Sequence, residues 1–366
     1  MHGARPARGD GAGGARAAGL SARAAVLGER APSAIMAARM TAKTSSPSPA
    51  SNAPAARTLA PESVDLSVQV GPLALKNPLM TASGTAGLGL EMEPFWDLSV
   101  AGAVVVKTLT MKPRRGNPMP RLCETPSGLL NSIGLPNKGL PHFLKEVLPR
   151  LAGKADCLVV NIAGTCTGEF GEMAARLDGA EGVDALELNI SCPNVEGGDL
   201  PFGRDPQVVY RLVGDVRAAT RLPIITKLTP NVSDVVAIAR AAHEAGSDAV
   251  SVINTLLGMA VDWRSGRPGL GTVIGGLSGP AIKPVALRMV WDVARSVDIP
   301  VVGIGGIMSA DDALEFLCAG ASAVQVGTAH YRRPDAIPRM LEAMRASLAA
   351  AGRAEVRSVI KTLRVP

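Results

Sequence analysis

The sequence predicts an α/β protein that folds into a (β/α)8 TIM barrel, and three observations lead to this fold class. From Leu66 onward, short runs rich in β-branched residues alternate with Ala-rich stretches of helical period, which is typical of βα units around a parallel sheet. Eight such runs can be counted, the number that closes a barrel. The GxGxxG turn of an open, doubly wound sheet does not follow the first run.

Eight predicted strands account for the barrel. Hydrophobic residues make up 47% of the chain and aromatic residues only 3%, so the core must be built from Ala, Val, Leu and Ile, which suit buried parallel strands. The strands are predicted at Pro78–Ser83, Ala103–Thr108, Cys157–Ile162, Ala185–Ile190, Pro223–Leu228, Ala249–Asn254, Pro300–Gly305 and Ala323–Gly327.

Two of the intervening helices carry recognisable end signals. We predict helices over Ser233–Ala245 and Ser309–Ala319, each with its serine as the candidate N-cap, and Asp312 completes the pattern of a capping box in the second. Gly246 and Gly320 follow directly and are expected to end these helices.

The barrel should carry a small N-terminal hairpin and long βα loops on its C-terminal face. Val64–Val70 and Leu73–Leu75 flank a Gly-Pro turn and predict the hairpin, which could cover the bottom of the barrel. The connections Met111–Pro141 and Thr255–Pro284 are unusually long and follow the second and sixth strands. Active sites of such barrels lie on this face, so both loops are candidates for a lid or an interface.

The net charge of +6 is confined to one end of the chain. Residues 1–60 contain eight basic and two acidic residues, whereas the remainder has 30 of each. A basic globular face is therefore not indicated, and nucleic-acid binding is not expected. We interpret residues 1–62 as a disordered Ala/Arg/Pro-rich tail, with an organelle transit peptide or a true start at Met36 or Met40 as alternatives. Residues 63–352 should form the catalytic barrel and 353–366 a C-terminal extension.

The five cysteines are odd in number and include no CxxC pair, so neither a disulfide framework nor a metal site is predicted. This cysteine usage favours a reducing cytoplasm. No run of about 18 apolar residues predicts a membrane span. A free cysteine is usually a small buried hydrophobe, and we interpret four of the five in this way, namely Cys123, Cys157, Cys166 and Cys318.

The predicted strand ends have an uneven composition of Lys, Asn and Gly, without carboxylates or histidines. This composition disfavours hydrolase and metal chemistry and favours a planar, amide-rich, anionic ligand. Glycine pairs at the ends of strands seven and eight suit phosphate binding through backbone N–H groups, although glycines of this kind can also serve only as turns. Two lysines at strand ends would meet an anion, and asparagines provide donors and acceptors for a pyrimidine-like ring.

Two motifs make the interpretation specific. Asn131-Ser132-Ile133-Gly134-Leu135 and Asn189-Ile190-Ser191-Cys192-Pro193-Asn194 resemble the class 1 dihydroorotate dehydrogenase family. The similarity extends from about Leu66 to Ala350, and the runs 254–260 and 276–284 resemble the class 1B catalytic subunit most. Pro136 and Lys138 depart from the family's usual residues.

The resemblance implies an FMN site and a site for dihydroorotate or orotate. The implied FMN-binding residues are Ser83, Lys107, Thr108, Asn161, Asn189, Lys227, Ile253, Gly279, Gly305, Gly306, Gly327 and Thr328. The implied substrate-binding residues are Lys107, Asn131, Ser132, Ile133, Gly134, Leu135, Asn189, Asn194, Asn254 and Thr255.

The family's catalytic base falls on Cys192, where class 2 enzymes use serine. The resemblance implies that Cys192 takes the C5 proton of (S)-dihydroorotate and that hydride passes from C6 to the flavin, in the de novo synthesis of UMP. Lys227 would stabilise the reduced flavin. A free thiol has a pKa of about 8.5, so it is a usable base near neutrality if its thiolate fraction is raised or the transfer is concerted.

The three classes of the family differ in electron acceptor. A class 1B assignment implies a homodimer core joined by a subunit carrying FAD and a 2Fe–2S cluster, which passes electrons to NAD within a heterotetramer. Alternatives are a fumarate-linked class 1A enzyme, a related dihydropyrimidine reductase and, least favoured, a non-catalytic flavin-binding barrel.

Overall fold

The computed structural model describes residues 59–190 and 202–366. Two residues with predicted roles, Cys192 and Asn194, lie outside the described residues, as does most of the predicted tail. The domain boundaries of 1–62, 63–352 and 353–366 therefore stay predictions.

The described strands form four sheets. In chain order they are β1 (Val68–Val70), β2 (Leu73–Leu75), β3 (Leu79–Thr81), β4 (Val104–Val105), β5 (Leu122–Thr125), β6 (Gly128–Asn131), β7 (Leu158–Ile162), β8 (Ala185–Asn189), β9 (Ile224–Leu228), β10 (Ala249–Val252), β11 (Leu256–Met259), β12 (Val261–Asp262), β13 (Arg267–Pro268), β14 (Ile274–Ser278), β15 (Val301–Ile304) and β16 (Ala323–Val326).

Eight of these strands close into the predicted barrel. They are all parallel, in the order β3-β16-β15-β10-β9-β8-β7-β4. The first and last strands meet through a parallel bridge between Met80 and Ala103, and the N–H of Thr81 donates to the Ala103 carbonyl at 3.2 Å. Each predicted strand overlaps one observed barrel strand, so the (β/α)8 prediction is confirmed.

The pairing register brings polar side chains into the barrel interior. Directly paired residues of neighbouring parallel strands point to the same face. Asn161 pairs with Glu187, and Lys227 pairs with Ser251. Together with Gln325 of β16, these residues are buried, and hydrogen bonds described below join them inside the barrel.

The predicted N-terminal hairpin is confirmed as the antiparallel pair β1 and β2. Its turn residue Gly71 has φ +56°, and a Cβ there would lie only 2.8 Å from the carbonyl oxygen of Asp248. Glycine is therefore required both for the backbone conformation and for the close approach. Because Asp248 directly precedes β10, the hairpin lies at the bottom of the barrel.

Helices pack around the barrel. They are α1 (Leu140–His142), α2 (Leu148–Leu151), α3 (Thr167–Leu177), α4 (Pro206–Ala219), α5 (Val235–Glu244), α6 (Lys283–Ala294), α7 (Ala310–Ala319), α8 (Ala329–Arg332) and α9 (Ala336–Ala350). A π-helical segment, Phe143–Val147, joins α1 to α2.

The structure confirms the predicted ends of α7 but not the predicted start of α5. At α7, Ser309 and Asp312 form the predicted capping box, and Gly320 ends the helix with φ +122°. At α5, the prediction of Ser233 as N-cap is wrong. The side chain of Asp234 accepts hydrogen bonds from two backbone N–H groups of the first turn, because it stands one residue closer to the helix.

The two long connections pair with each other in an accessory antiparallel sheet of order β11-β14-β6-β5. Leu130 of β6 lies opposite Leu277 of β14, so the connection after β4 is held against the one after β10. Both leave the carboxyl ends of barrel strands, and the accessory sheet therefore stands over the C-terminal face. The sequence predicted the loops but not their strands.

The C-terminal segment is attached to the barrel by backbone hydrogen bonds. The N–H of Val356 donates to Asp65 (2.8 Å) and that of Lys361 to Leu317 of α7 (3.1 Å). Within the described part of the chain, no helix is long and apolar enough to cross a membrane.

Candidate active site

A cavity opens at the C-terminal end of the barrel, between the strand ends and the accessory sheet. Its lining includes 17 of the residues for which a role was predicted from sequence. These are Ser83, Lys107, Thr108, Asn131, Ile133, Gly134, Leu135, Asn189, Lys227, Ile253, Asn254, Thr255, Gly279, Gly305, Gly306, Gly327 and Thr328.

Two described residues from the predicted sets do not line the cavity. Ser132 is fully buried, and its hydroxyl accepts hydrogen bonds from Asn117 (2.8 Å) and Thr272 (2.5 Å), which tie the predicted substrate loop to its neighbours. Asn161 is also fully buried, and its side chain lies in a polar cluster inside the barrel, next to the cavity residue Lys227.

One end of the cavity is built from backbone. Gly305 and Gly306 have φ of +129° and +75°, and a Cβ on Gly306 would lie 2.7 Å from Lys283 Cβ and 2.9 Å from the Gly279 carbonyl oxygen. These positions therefore require glycine, both for the positive φ of the turn and for the close packing against neighbouring atoms. In the described part of the chain, however, the N–H groups of Gly305, Gly306, Gly327 and Thr328 donate to no backbone carbonyl. Backbone N–H groups that have no carbonyl partner and line a cavity suit a phosphate.

Another part of the cavity lining is a chain of amide side chains. Asn254 donates from Nδ2 to Asn189 Oδ1 (3.3 Å), and Asn189 donates from Nδ2 to the Thr108 hydroxyl (3.3 Å). Asn131 donates to the carbonyl of Gly276 on the adjacent strand β14 (3.1 Å). All three asparagines line the cavity, and their amides provide the donors and acceptors that binding of a pyrimidine-like ring requires.

Below the cavity lies a buried polar cluster centred on Glu187, whose side chain is 0% exposed. Its Oε1 accepts from Asn161 Nδ2 (2.6 Å), and its Oε2 accepts from Ser251 Oγ (2.9 Å) and Gln325 Nε2 (2.5 Å). Lys227 Nζ lies 3.8 Å from Oε1 and donates to the Ser83 hydroxyl at 3.3 Å. The cluster links residues with predicted roles to three that had none, Glu187, Ser251 and Gln325.

A detectable signal for Glu187 existed in the sequence. It is a carboxylate between two leucines in the buried strand Ala185–Asn189, where burial of a charge requires partners. Gln325 occupies the same position in the run Ala-Val-Gln-Val of β16. Side chains such as Thr85, Ser278 and Tyr331, which also line the cavity, carried no comparable signal.

The predicted burial of the cysteines outside the site is only partly correct. Cys157 is buried, and burial raises the pKa of its thiol to about 12, with Asp184 and Asp156 adding to the shift. Cys166 is exposed, so the prediction is wrong there, because this residue immediately precedes α3 at the surface and does not contribute to the core. Cys123 and Cys318 are half-buried.

His330 lies close to the cavity but outside its lining. Burial lowers the pKa of its imidazole to about 4, so the ring is neutral near pH 7. Its Nδ1 is 3.4 Å from the Thr85 hydroxyl, and its Nε2 has no hydrogen-bond partner among residues 59–190 and 202–366. The side chain is part of the packing beneath Thr85.

The cavity fits a flavin mononucleotide. Gln325 lines the cavity, and its Oε1 is a buried oxygen without a hydrogen-bond partner in the described chain, to which an N–H group of a flavin ring could donate. The glycine end offers N–H groups to a phosphate. Fold and site together define a class of protein, the flavin-binding oxidoreductases built on a (β/α)8 barrel.

Comparison with known proteins gives the family. Residues 65–348 match the family model described as dihydroorotate dehydrogenase. The chain therefore belongs to the dihydroorotate dehydrogenase family, whose members bind FMN, and the matched range agrees with the extent predicted from sequence.

Similar proteins include three bacterial relatives, each named dihydroorotate dehydrogenase B (NAD(+)), catalytic subunit. The protein of Trichlorobacter lovleyi is 53% identical over 298 residues, covering 81% of this chain and 98% of the relative. That of Geotalea uraniireducens is 52% identical over 299 residues (82% and 98%), and that of Desulforamulus reducens is 50% identical over 297 residues (81% and 98%). The predicted resemblance to class 1B is confirmed.

Proposed function

We propose that this chain oxidises (S)-dihydroorotate to orotate in the de novo synthesis of pyrimidines, as the catalytic subunit of an NAD-linked enzyme. One observation carries the proposal: a single cavity joins a backbone site suited to phosphate with a chain of amide side chains suited to a pyrimidine ring. The names of the relatives agree with this chemistry.

The substrate would be held by side chains and backbone from three strands and the loop after β6. Lys107, at the end of the second barrel strand, would pair with the substrate carboxylate, and residues 131–135 would enclose it. Asn189 and Asn254 would bind the ring carbonyl and N–H groups. These contacts would orient the carbon that loses its proton.

Cys192 is proposed as the base that removes the proton from C5. It follows β8 by three residues, and β8 ends at Asn189 in the cavity lining. When bound, FMN supplies the acceptor for the hydride that leaves C6. Lys227 would lie near the flavin ring and stabilise negative charge there, a fixed electrostatic contribution without proton transfer.

Electrons would leave through a partner subunit that carries FAD and a 2Fe–2S cluster, in a heterotetramer around a homodimer core. Within residues 59–190 and 202–366, no group of His, Cys, Asp and Glu residues could hold a metal ion. The accessory sheet provides an apolar surface beside the cavity: Leu257, Met259 and Ile274 are 46–54% exposed. Because Met259 pairs with Ile274 in the sheet that lines the cavity, this surface suits a partner that must approach the flavin.

We also infer that the chain works in the cytoplasm. The four cysteines within the described residues are all free, including the exposed Cys166, which suits a reducing compartment.

The proposal is tested by anaerobic reduction of the purified yellow protein with dihydroorotate, followed by addition of one acceptor at a time. We expect dihydroorotate to bleach the flavin and NAD to restore the colour only when an FAD/2Fe–2S subunit is present. Rapid reoxidation of the isolated chain by fumarate would instead indicate the class 1A alternative. Bleaching by dihydrouracil and not by dihydroorotate would contradict the proposed substrate.

A further inference from the structure

Glu187 occupies an unusual place beneath the candidate active site. It does not line the cavity, yet its carboxylate holds two carboxamides and lies 3.8 Å from the ammonium of Lys227. We propose that Glu187 is a positioning residue for the flavin, which fixes the orientation of Asn161 and Gln325 and offsets the charge of Lys227. This inference rests on the proposed binding of FMN in the cavity.

Glu187 fixes the orientation of the two carboxamides. A carboxamide can turn by 180° and present either its oxygen or its NH2 group to a given neighbour. An ionised carboxylate only accepts hydrogen bonds, so it holds both NH2 groups, at 2.6 Å from Asn161 and 2.5 Å from Gln325. The oxygens are thereby left as acceptors, and both are buried without a partner in the described chain. Because Gln325 lines the cavity, Glu187 thus determines that this part of the site accepts a hydrogen bond from a ligand.

Glu187 also offsets the positive charge of Lys227. Lys227 and Glu187 form an ion pair whose side chains are 8% and 0% exposed, so water screens it weakly. Lys107 is the other cation of the cavity lining, and no carboxylate from the described residues joins that lining. The Glu187 carboxylate therefore moderates the positive potential at the flavin. Removing its charge should favour the reduced, anionic flavin over the oxidised form.

The test uses FMN-loaded protein with Glu187→Gln, which preserves size and removes the charge. We expect the flavin midpoint potential to become more positive by about 30 mV, which corresponds to a tenfold change in the equilibrium constant of a two-electron couple. We also expect weaker FMN binding, because a glutamine must donate as well as accept and so turns one carboxamide around. A wild-type potential and wild-type affinity in this variant would overturn the inference.

Ser251→Ala provides the matched control. Ser251 donates to the same carboxylate at 2.9 Å but presents nothing to the cavity and carries no charge. If the cluster were only a structural element of the core, both variants would lower the melting temperature and leave the flavin potential unchanged. We expect Ser251→Ala to behave in this way and Glu187→Gln to shift the potential.

Gln325→Met gives a second, independent measurement, which decides the inference if Glu187→Gln does not fold. This variant retains the charge of Glu187 and removes one oriented oxygen. We expect its dissociation constant for FMN to rise about tenfold, with the midpoint potential unchanged, because the hydrogen bond would serve both redox forms. An unchanged dissociation constant would contradict the orienting role. Failure of the wild-type protein to bind FMN would contradict the proposed function itself.

Discussion

At the level of single residues, the side chains that would bind ligands line the cavity, whereas the carboxylate that offsets the charge of Lys227 lies in the barrel interior. The strand ends supply Lys107, Asn189 and Asn254 to the cavity, whereas the interior below them supplies the carboxylate of Glu187. The cavity lining formed by the described residues is therefore cationic, as binding of an anionic substrate and a phosphate requires.

The role of Lys107 can be tested by comparing two ligands. For Lys107→Met we expect orotate binding to weaken by 10- to 100-fold, on the order of 1.5–3 kcal/mol for a charged hydrogen bond, while uracil binding changes little because uracil lacks the carboxylate. Spectroscopic titration of the flavin measures both affinities. Equal weakening for the two ligands would argue against a carboxylate contact, and flavin content serves as the control for an effect on FMN.

His330 predicts a pH dependence of stability. Burial lowers the pKa of its imidazole from 6.5 to about 4 in the folded chain, so between these values the unfolded state binds a proton that the folded state does not. Stability should therefore fall as the pH decreases through this window, by about 2 kcal/mol from this residue between pH 7.5 and pH 5. Urea unfolding of wild type and His330→Gln at both pH values measures the difference. An identical loss in the two proteins would exclude this contribution.

At the scale of elements, the cap of α5 illustrates the precision of a sequence prediction. Ser233 and Asp234 are both good N-cap residues, and only the exact start of the helix distinguishes them.

Adjacent substitutions test this cap. We expect Asp234→Ala to reduce the free energy of unfolding by about 1 kcal/mol, because two backbone N–H groups lose their acceptor, and Ser233→Ala to have little effect. Thermal or urea unfolding of the two variants provides the comparison. A larger loss in Ser233→Ala would reverse the assignment.

The accessory sheet is the element on which the proposed partner should dock. A double substitution, Met259→Glu with Ile274→Glu, places two charges on neighbouring exposed positions. We expect reduction of the flavin by dihydroorotate to persist and NAD-linked turnover with the FAD/2Fe–2S subunit to fall at least tenfold. Tyr210→Glu, at an exposed aromatic residue of α4, is the control. Unimpaired turnover in the double variant would place the partner elsewhere.

At the scale of the whole molecule, the sequence predicted the barrel because its strands are buried on both faces and read as apolar runs. The long connections were not predicted as a sheet, because β6 and β14 are separated by more than 140 residues and only the closed barrel brings them together. The motifs at strand ends predicted most of the described cavity lining, because the carboxyl ends of all barrel strands meet on one face.

The buried cluster was harder to predict. Asn161, Glu187 and Gln325 lie on three different strands, and their contacts depend on register, which the sequence of a single strand does not specify. Glu187 could have been recognised as a charge between two leucines of a buried strand, but not its partners. For Ser132, the motif predicted a contact with the substrate. In the structure, its hydroxyl instead accepts hydrogen bonds from Asn117 and Thr272.

Oxidation of dihydroorotate in this cavity, with Cys192 as the base, can be measured by anaerobic stopped-flow reduction of the flavin. Wild-type protein and Cys192→Ala, each loaded with FMN, are mixed with dihydroorotate and followed by flavin absorbance. We expect rapid bleaching of the wild type and a rate at least 10²-fold lower in Cys192→Ala, the usual contribution of a general base. Bleaching of both proteins at the same rate would contradict the assignment of Cys192 as the base.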